Sequence, residues 1–125
     1  FVNAKIEAAT KRPELRCLVV LDGFYEWRKG DRQPFYFHRT DHRPFAVGGV
    51  LRSRENAAAI VTCPPGEIVS GIHDRMPLVL AREDWQAWLA GEKPSAHLDG
   101  FERYEVSTVV NSPKNDGPVL IERYR

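Results

Sequence analysis

The sequence predicts an α+β fold rich in strand: a strongly bent antiparallel sheet or partly closed barrel with a few short helices. Three observations predict it. About six short apolar and aromatic runs are separated by clusters of Gly, Pro, Asn and Asp. The runs follow one another instead of alternating strictly with helices, which argues against a βαβ design. The chain has 125 residues, 42% of them apolar, enough for one domain over residues 1–125 with a real hydrophobic core.

In chain order, residues 6–15 carry Glu7, two alanines and Leu15, so a short helix is expected that Pro13 interrupts or that ends near Arg12. Cys17 to Leu21 is a continuous apolar run, the pattern of a strand buried on both faces. Asp22-Gly23 marks a turn or bulge, and Phe24 to Trp27 an aromatic strand. After the polar turn Arg28 to Asp31 comes a strand over Pro34–His38, then a turn over Thr40–Pro44. Phe45–Leu51 is the next strand, and its Gly48-Gly49 pair signals a bulge or a close backbone approach. Ala58–Cys63 is a further strand, ended by Pro64-Pro65.

A short helix is expected over Gly66–His73 and a strand over Met76–Leu80. Pro77 disfavours the α conformation at Met76, so His73, Asp74 and Arg75 fall at a helix-to-strand junction. Glu83 to Leu89 is the clearest helix. Its acids lie in the first turn, Trp85, Trp88 and Leu89 share a face, and Gly91 can end it. Those two tryptophans read as core and not as a base-stacking platform. Residues 92–100 are a loop, Tyr104–Val110 a further strand, 111–118 a turn-rich loop, and Val119–Tyr124 a terminal strand or short helix.

Composition excludes little. Net charge is +1, but residues 1–62 hold 11 Lys/Arg against 7 Asp/Glu while residues 63–125 hold 7 against 10. A basic face from the first half would suit nucleic acid, although from charge alone a mixed solvated surface is the better account. No apolar run approaches a membrane span, and no charged-then-apolar leader opens the chain. Cys17 and Cys63 lie in apolar runs without metal-ligand spacing and read as small core residues. An intracellular, cytoplasmic setting is therefore expected, with no membrane association. The chain starts at Phe1 without an initiator Met and reads as the interior of something longer.

Three groups of residues suit chemistry. His73 and Arg75 alone fit a satisfied histidine and a surface ion pair better than a site. Glu26 shares a strand face with Phe24; if that face is inward, burial raises its pKa toward proton transfer at neutral pH, and if outward it is an ordinary carboxylate. Asn3 and Lys5, at i and i+2 of an extended segment, present an amide and a cation on one side, suited to an anion or a carbonyl oxygen. Metal and cofactor binding are not expected. His38 and His42 are separated by a turn, so the helical zinc-type face is lost. Ser70, His73 and Asp74 are too close along the chain for a hydrolase triad, and no Gly-rich phosphate loop is present.

Four segments in register change the weighting: Asn3-Ala4-Lys5-Ile6-Glu7, Asp22-Gly23-Phe24-Tyr25-Glu26-Trp27, Ile72-His73-Asp74-Arg75-Met76-Pro77 and Val106-Ser107-Thr108-Val109-Val110-Asn111. Together they resemble the SRAP family of SOS-response-associated peptidases, or abasic-site processing proteins. The family has Asn-Ala-Arg where this chain has Asn3-Ala4-Lys5, which keeps the charge and gives up the bidentate fork. The resemblance implies a single β-rich domain with a cleft for single-stranded DNA containing abasic sites, acting as a monomer. It implies covalent capture of the ring-opened sugar by an N-terminal cysteine as a thiazolidine, with self-processing peptidase activity. It assigns Asn3 to positioning the nucleophile or sugar, Glu26 to proton shuttling, His73 to acid–base work, and Lys5 and Arg75 to flanking phosphates. The N-terminal cysteine is absent from this sequence, and Cys17 and Cys63 do not match it. The chain as given is therefore expected to lack the family's N-terminal portion and to be unable to form the thiazolidine. A non-catalytic module for single-stranded or modified DNA is the alternative.

Overall fold

Nine strands and one α-helix are formed among residues 2–8, 12–52 and 57–111, the residues that a computed structural model describes. The strands are β1 (Val2–Lys5), β2 (Arg16–Leu21), β3 (Phe24–Trp27), β4 (Pro34–Arg39), β5 (Phe45–Arg52), β6 (Ala57–Cys63), β7 (Met76–Pro77), β8 (Val79–Leu80) and β9 (Phe101–Glu105); the helix is α1 (Trp85–Leu89). The larger sheet has the order β1-β6-β5-β2, with β7 on β6 and β8 on β5, and the smaller the order β3-β4-β9. This is the α+β fold with a bent sheet, curled as a half-barrel, that the sequence predicts. One pairing departs from antiparallel: β1 runs parallel to β6.

Side-chain alternation sorts the larger sheet into two faces. Phe45, Val47 and Gly49 of β5 share one face; Gly49 is level with Ile60 of β6, and Ile60 with Asn3 of β1. Phe45 meets Phe24 of the smaller sheet at 6.3 Å between ring centroids and Phe101 at 4.8 Å. That face is therefore the inner one, closed by the smaller sheet. The outer face carries Gly48, against which α1 packs. A Cβ added at Gly48 would lie 3.1 Å from both Leu78 Cδ2 and Trp88 Cε2, so the close approach read from the Gly-Gly pair is real. Gly48→Val is expected to overpack this contact and lower the unfolding free energy by about 1–3 kcal/mol, measured as a fall in urea midpoint at constant slope.

Residues 76–80 form two short strands and not the single strand expected. β5 and β6 pair only as far as Gly49 and Ile60, then splay apart. The chain enters the gap along β6 (Cys63 beside Met76, Thr62 beside Pro77) and leaves along β5 (Val47 beside Val79, Ala46 beside Leu80). Leu78 is the tip of this V: its N–H donates to Val61 O at 2.8 Å, and its C=O accepts Gly48 N–H at 2.9 Å.

Three further expectations are corrected. Of the segment 6–15, residues 9–11 lie outside the described residues, and the rest holds 3₁₀ turns at Ile6–Ala8 and Pro13–Leu15, Pro13 opening its own turn instead of continuing a helix. Residues 66–73 form successive turns and no helix: Gly71, at φ +88°, reverses the backbone hand between them. The strand expected over Tyr104–Val110 is β9, ending at Glu105 and followed by a 3₁₀ turn at Thr108–Asn111. Its partner β4 begins at Pro34, so ladder pairing stops there, and Ser107 Oγ accepts Val109 N–H to start the turn. The element expected over Val119–Tyr124 lies outside the described residues. Among those described, no helix is long and apolar enough to cross a membrane.

Candidate functional site

Glu26 lies on the inner face of β3, level with Phe35 of β4. Phe24, two residues earlier on that face, stacks on Phe37 at 4.9 Å. The aromatic core therefore ends at a carboxylate, only 16% exposed. Burial there pushes Glu26 up to about 7, against the opposing pull of His73.

His73 reaches this carboxylate because its turn is tied to the β3–β4 hairpin. Lys29 N–H donates to Ile72 O at 3.2 Å, and the Lys29 ammonium pairs with Asp74. His73 Nδ1 then lies 3.5 Å from Glu26 Oε1, an ion-pair separation. It also faces both backbone groups of Arg75: the N–H at 3.2 Å and the carbonyl oxygen at 3.1 Å. In neutral imidazole an unprotonated Nδ1 accepts the Arg75 N–H. Once protonated, Nδ1 donates to the Arg75 carbonyl and faces Glu26. The pair can thus hold and pass one proton without moving a side chain far.

Asn3 and Lys5 are exposed on the inner face of β1, beside Ile60 and Thr62. The parallel pairing of β1 puts their amide and ammonium on the same inner side as Glu26. Arg75 is engaged elsewhere. Its Nη2 and Nη1 donate to the two oxygens of Glu7 at 2.8 and 3.0 Å. Nη2 also donates to Thr62 O at 2.8 Å, and Nε to Thr62 Oγ1 at 3.4 Å. The guanidinium holds the Glu7 carboxyl down at about 2. Sequence reasoning assigned Glu7 and Thr62 no role in a site. Only the register that sets Lys5 and Pro77 on either side of Thr62 reveals them.

Beside β3, Trp27, Arg32, Val110 and Asn111 line an open groove of about 400 Å³, in which Trp27 Nε1–H donates to Asn111 Oδ1 at 2.5 Å. An indole and a guanidinium at one groove suit a base and its phosphate. Elsewhere, Cys17 and Cys63 are free thiols, both pushed up by burial. His38 stacks on His42 at 5.0 Å and pairs with Glu102 at 2.9 Å. Among the described residues no group of three or more His, Cys, Asp or Glu could hold a metal ion.

Comparison with known proteins gives consistent results. A family model described as SOS response associated peptidase (SRAP) matches residues 2–113. The chain is 30% identical to the abasic site processing protein YoqW of Bacillus subtilis, over 99% of this chain and 67% of that one. It is 33% identical to the abasic site processing protein YedK of Escherichia coli, over 98% and 67%. The chain thus spans about two thirds of the length of these relatives. A crystal structure of a protein from Bacteroides thetaiotaomicron shares the fold, with a TM-score of 0.72 at 21% identity over 98% of this chain and 66% of that one.

Proposed function

The chain belongs to the SRAP family, and from that membership we propose that it processes abasic sites in DNA by capturing them covalently from single-stranded substrate. The observation that carries the reading is the Glu26–His73 pair: a carboxyl raised to about 7 by burial, 3.5 Å from an imidazole. A carboxyl raised to that range can take up and release a proton at neutral pH, which is what aldehyde–amine chemistry needs.

The ring-opened abasic sugar presents an aldehyde. The α-amine of an N-terminal cysteine in the full-length protein adds to it, giving a carbinolamine. His73 delivers a proton to the leaving hydroxyl, water departs and a Schiff base remains. The cysteine thiol then adds across the C=N bond, its proton passing to the nitrogen, and closes a thiazolidine. Glu26 takes the proton from the attacking amine and returns it to His73. Asn3 orients the sugar or the cysteine by hydrogen bonds. Lys5 and Arg75 hold the flanking phosphates; with Arg75 engaged by Glu7 and Thr62, Lys5 makes the more direct contact. Self-processing peptidase activity would expose the same cysteine. Cys17 and Cys63 are not the nucleophile, since neither carries a free α-amine and burial keeps both thiols protonated.

The test incubates the full-length protein with a single-stranded oligonucleotide bearing one abasic site. A crosslink that survives denaturing electrophoresis is expected. A mobility shift under native conditions with no covalent adduct would instead identify a binding module.

A further inference from the structure

The geometry points to Glu7 as a positioning residue that sets the imidazole of His73 against the strand carrying Asn3 and Lys5. The inference rests on the function proposed above for its chemical consequence, but its structural content stands on six contacts. Glu7 follows Lys5 by two residues and Asn3 by four, just past the end of β1. Arg75 follows His73 by two and supplies both backbone groups that His73 Nδ1 meets. The two carboxylate–guanidinium hydrogen bonds, at 2.8 and 3.0 Å, join these segments directly. The bonds from Arg75 to Thr62, at 2.8 and 3.4 Å, fasten the same guanidinium to the strand lying between them.

A bidentate fork fixes direction as well as distance, which a single contact to a flexible side chain does not. Removing Glu7 leaves Arg75 held from one side only. The Arg75 backbone can then rotate, and the Nδ1 contacts with it. Glu7 itself touches no reacting atom, and its carboxyl, held at about 2, stays ionised throughout the pH range of the reaction. It therefore acts through Arg75, by position and not by proton transfer. The competing role for this carboxylate is a mask: an internal anion occupying the phosphate-binding face of Arg75.

The experiment compares wild type, Glu7→Asp, Glu7→Gln and Glu7→Ala in the full-length protein by two readouts. The first is the His73 imidazole resonance in the absence of DNA, followed against pH by ¹H–¹³C NMR, with His38 and His97 as internal references. Glu7→Ala and Glu7→Gln are expected to shift the His73 titration and leave the references unchanged, and Glu7→Asp to restore it in part. The second is the single-turnover crosslinking rate beside single-stranded DNA affinity. The rate is expected to fall about 10- to 100-fold, as for a small misplacement of a reacting group, with affinity changed less than about threefold. An unmoved His73 titration overturns the inference whether or not the protein crosslinks DNA. Tighter DNA binding at an unchanged rate also overturns it, in favour of the mask. Absence of a wild-type crosslink together with a shifted His73 titration would discard the proposed function and keep Glu7 as the residue that positions His73.

Discussion

Glu26→Gln is expected to slow abasic-site capture by about 10²- to 10⁴-fold at pH 7, the usual cost of losing a positioned acid or base. Glutamine keeps the shape of the side chain and its place beside Phe24 and Phe35, so the change isolates proton transfer. The same substitution should make the protein more stable. In the unfolded chain the carboxyl titrates near its ordinary value of 4.5; in the folded protein burial moves it to about 7. Between these values the folded state binds more protons than the unfolded state, so stability falls as pH rises through that window. Below about 4.5 both states are protonated and the penalty vanishes. Above about 7 it is complete, on the order of 3 kcal/mol. Glu26→Gln should therefore gain stability over wild type at pH 8 and lose that advantage by pH 4.5, in urea titrations at the two values. An equal effect at both pH values would show that Glu26 is not held in its neutral form. Loss of activity with gain of stability is the signature of a group kept for chemistry against the interest of the fold.

The legible parts of this molecule were those written as local pattern. β2 to β6 follow from apolar runs between turn residues, and α1 from the spacing of Trp85, Trp88 and Leu89. Glu26 was legible conditionally: alternation tied it to Phe24, and only the burial of Phe24 against Phe37 and Phe45 decided the face. His73 was legible from its motif, but its distance to Glu26 depends on Lys29 reaching Asp74 across 45 residues of chain, and Ile72 beside it. The V at Leu78 looked like one strand because a two-residue reversal between splayed strands leaves an unbroken apolar run. The role of Glu7 was hidden for a different reason. A salt bridge between positions 68 residues apart leaves no periodicity in sequence, and the parallel pairing of β1 that creates it is set by register alone. The helix expectation failed at 66–73, and the described residues of 6–15 hold only 3₁₀ turns, each too short to meet the cost of helix nucleation.

Trp88→Ala is expected to cost about 3–5 kcal/mol of folding stability while leaving the chemistry of the folded protein intact. The indole is fully buried and packs over Gly48 on the outer face of the larger sheet. Its Nε1–H donates to Cys17 O at 3.0 Å. The Arg16 guanidinium lies 3.9 Å from the ring centroid and donates to Trp88 O at 3.0 Å. Truncation therefore opens a cavity, removes the donor to Cys17 O and strips the cover from a cation that is only 5% exposed. Trp88→Phe separates these terms: it keeps most of the packing, loses the N–H, and should cost less, about 1–3 kcal/mol. Both changes lie across the sheet from Glu26 and His73, which face inward. Crosslinking by either variant, measured well below its melting temperature and corrected for the folded fraction, should match wild type. A variant that lost crosslinking while remaining folded would show that the outer helix and the inner site are coupled through β5, whose successive residues Val47 and Gly48 face the two layers. An intact rate would mean that the half-barrel holds the site and α1 contributes stability alone.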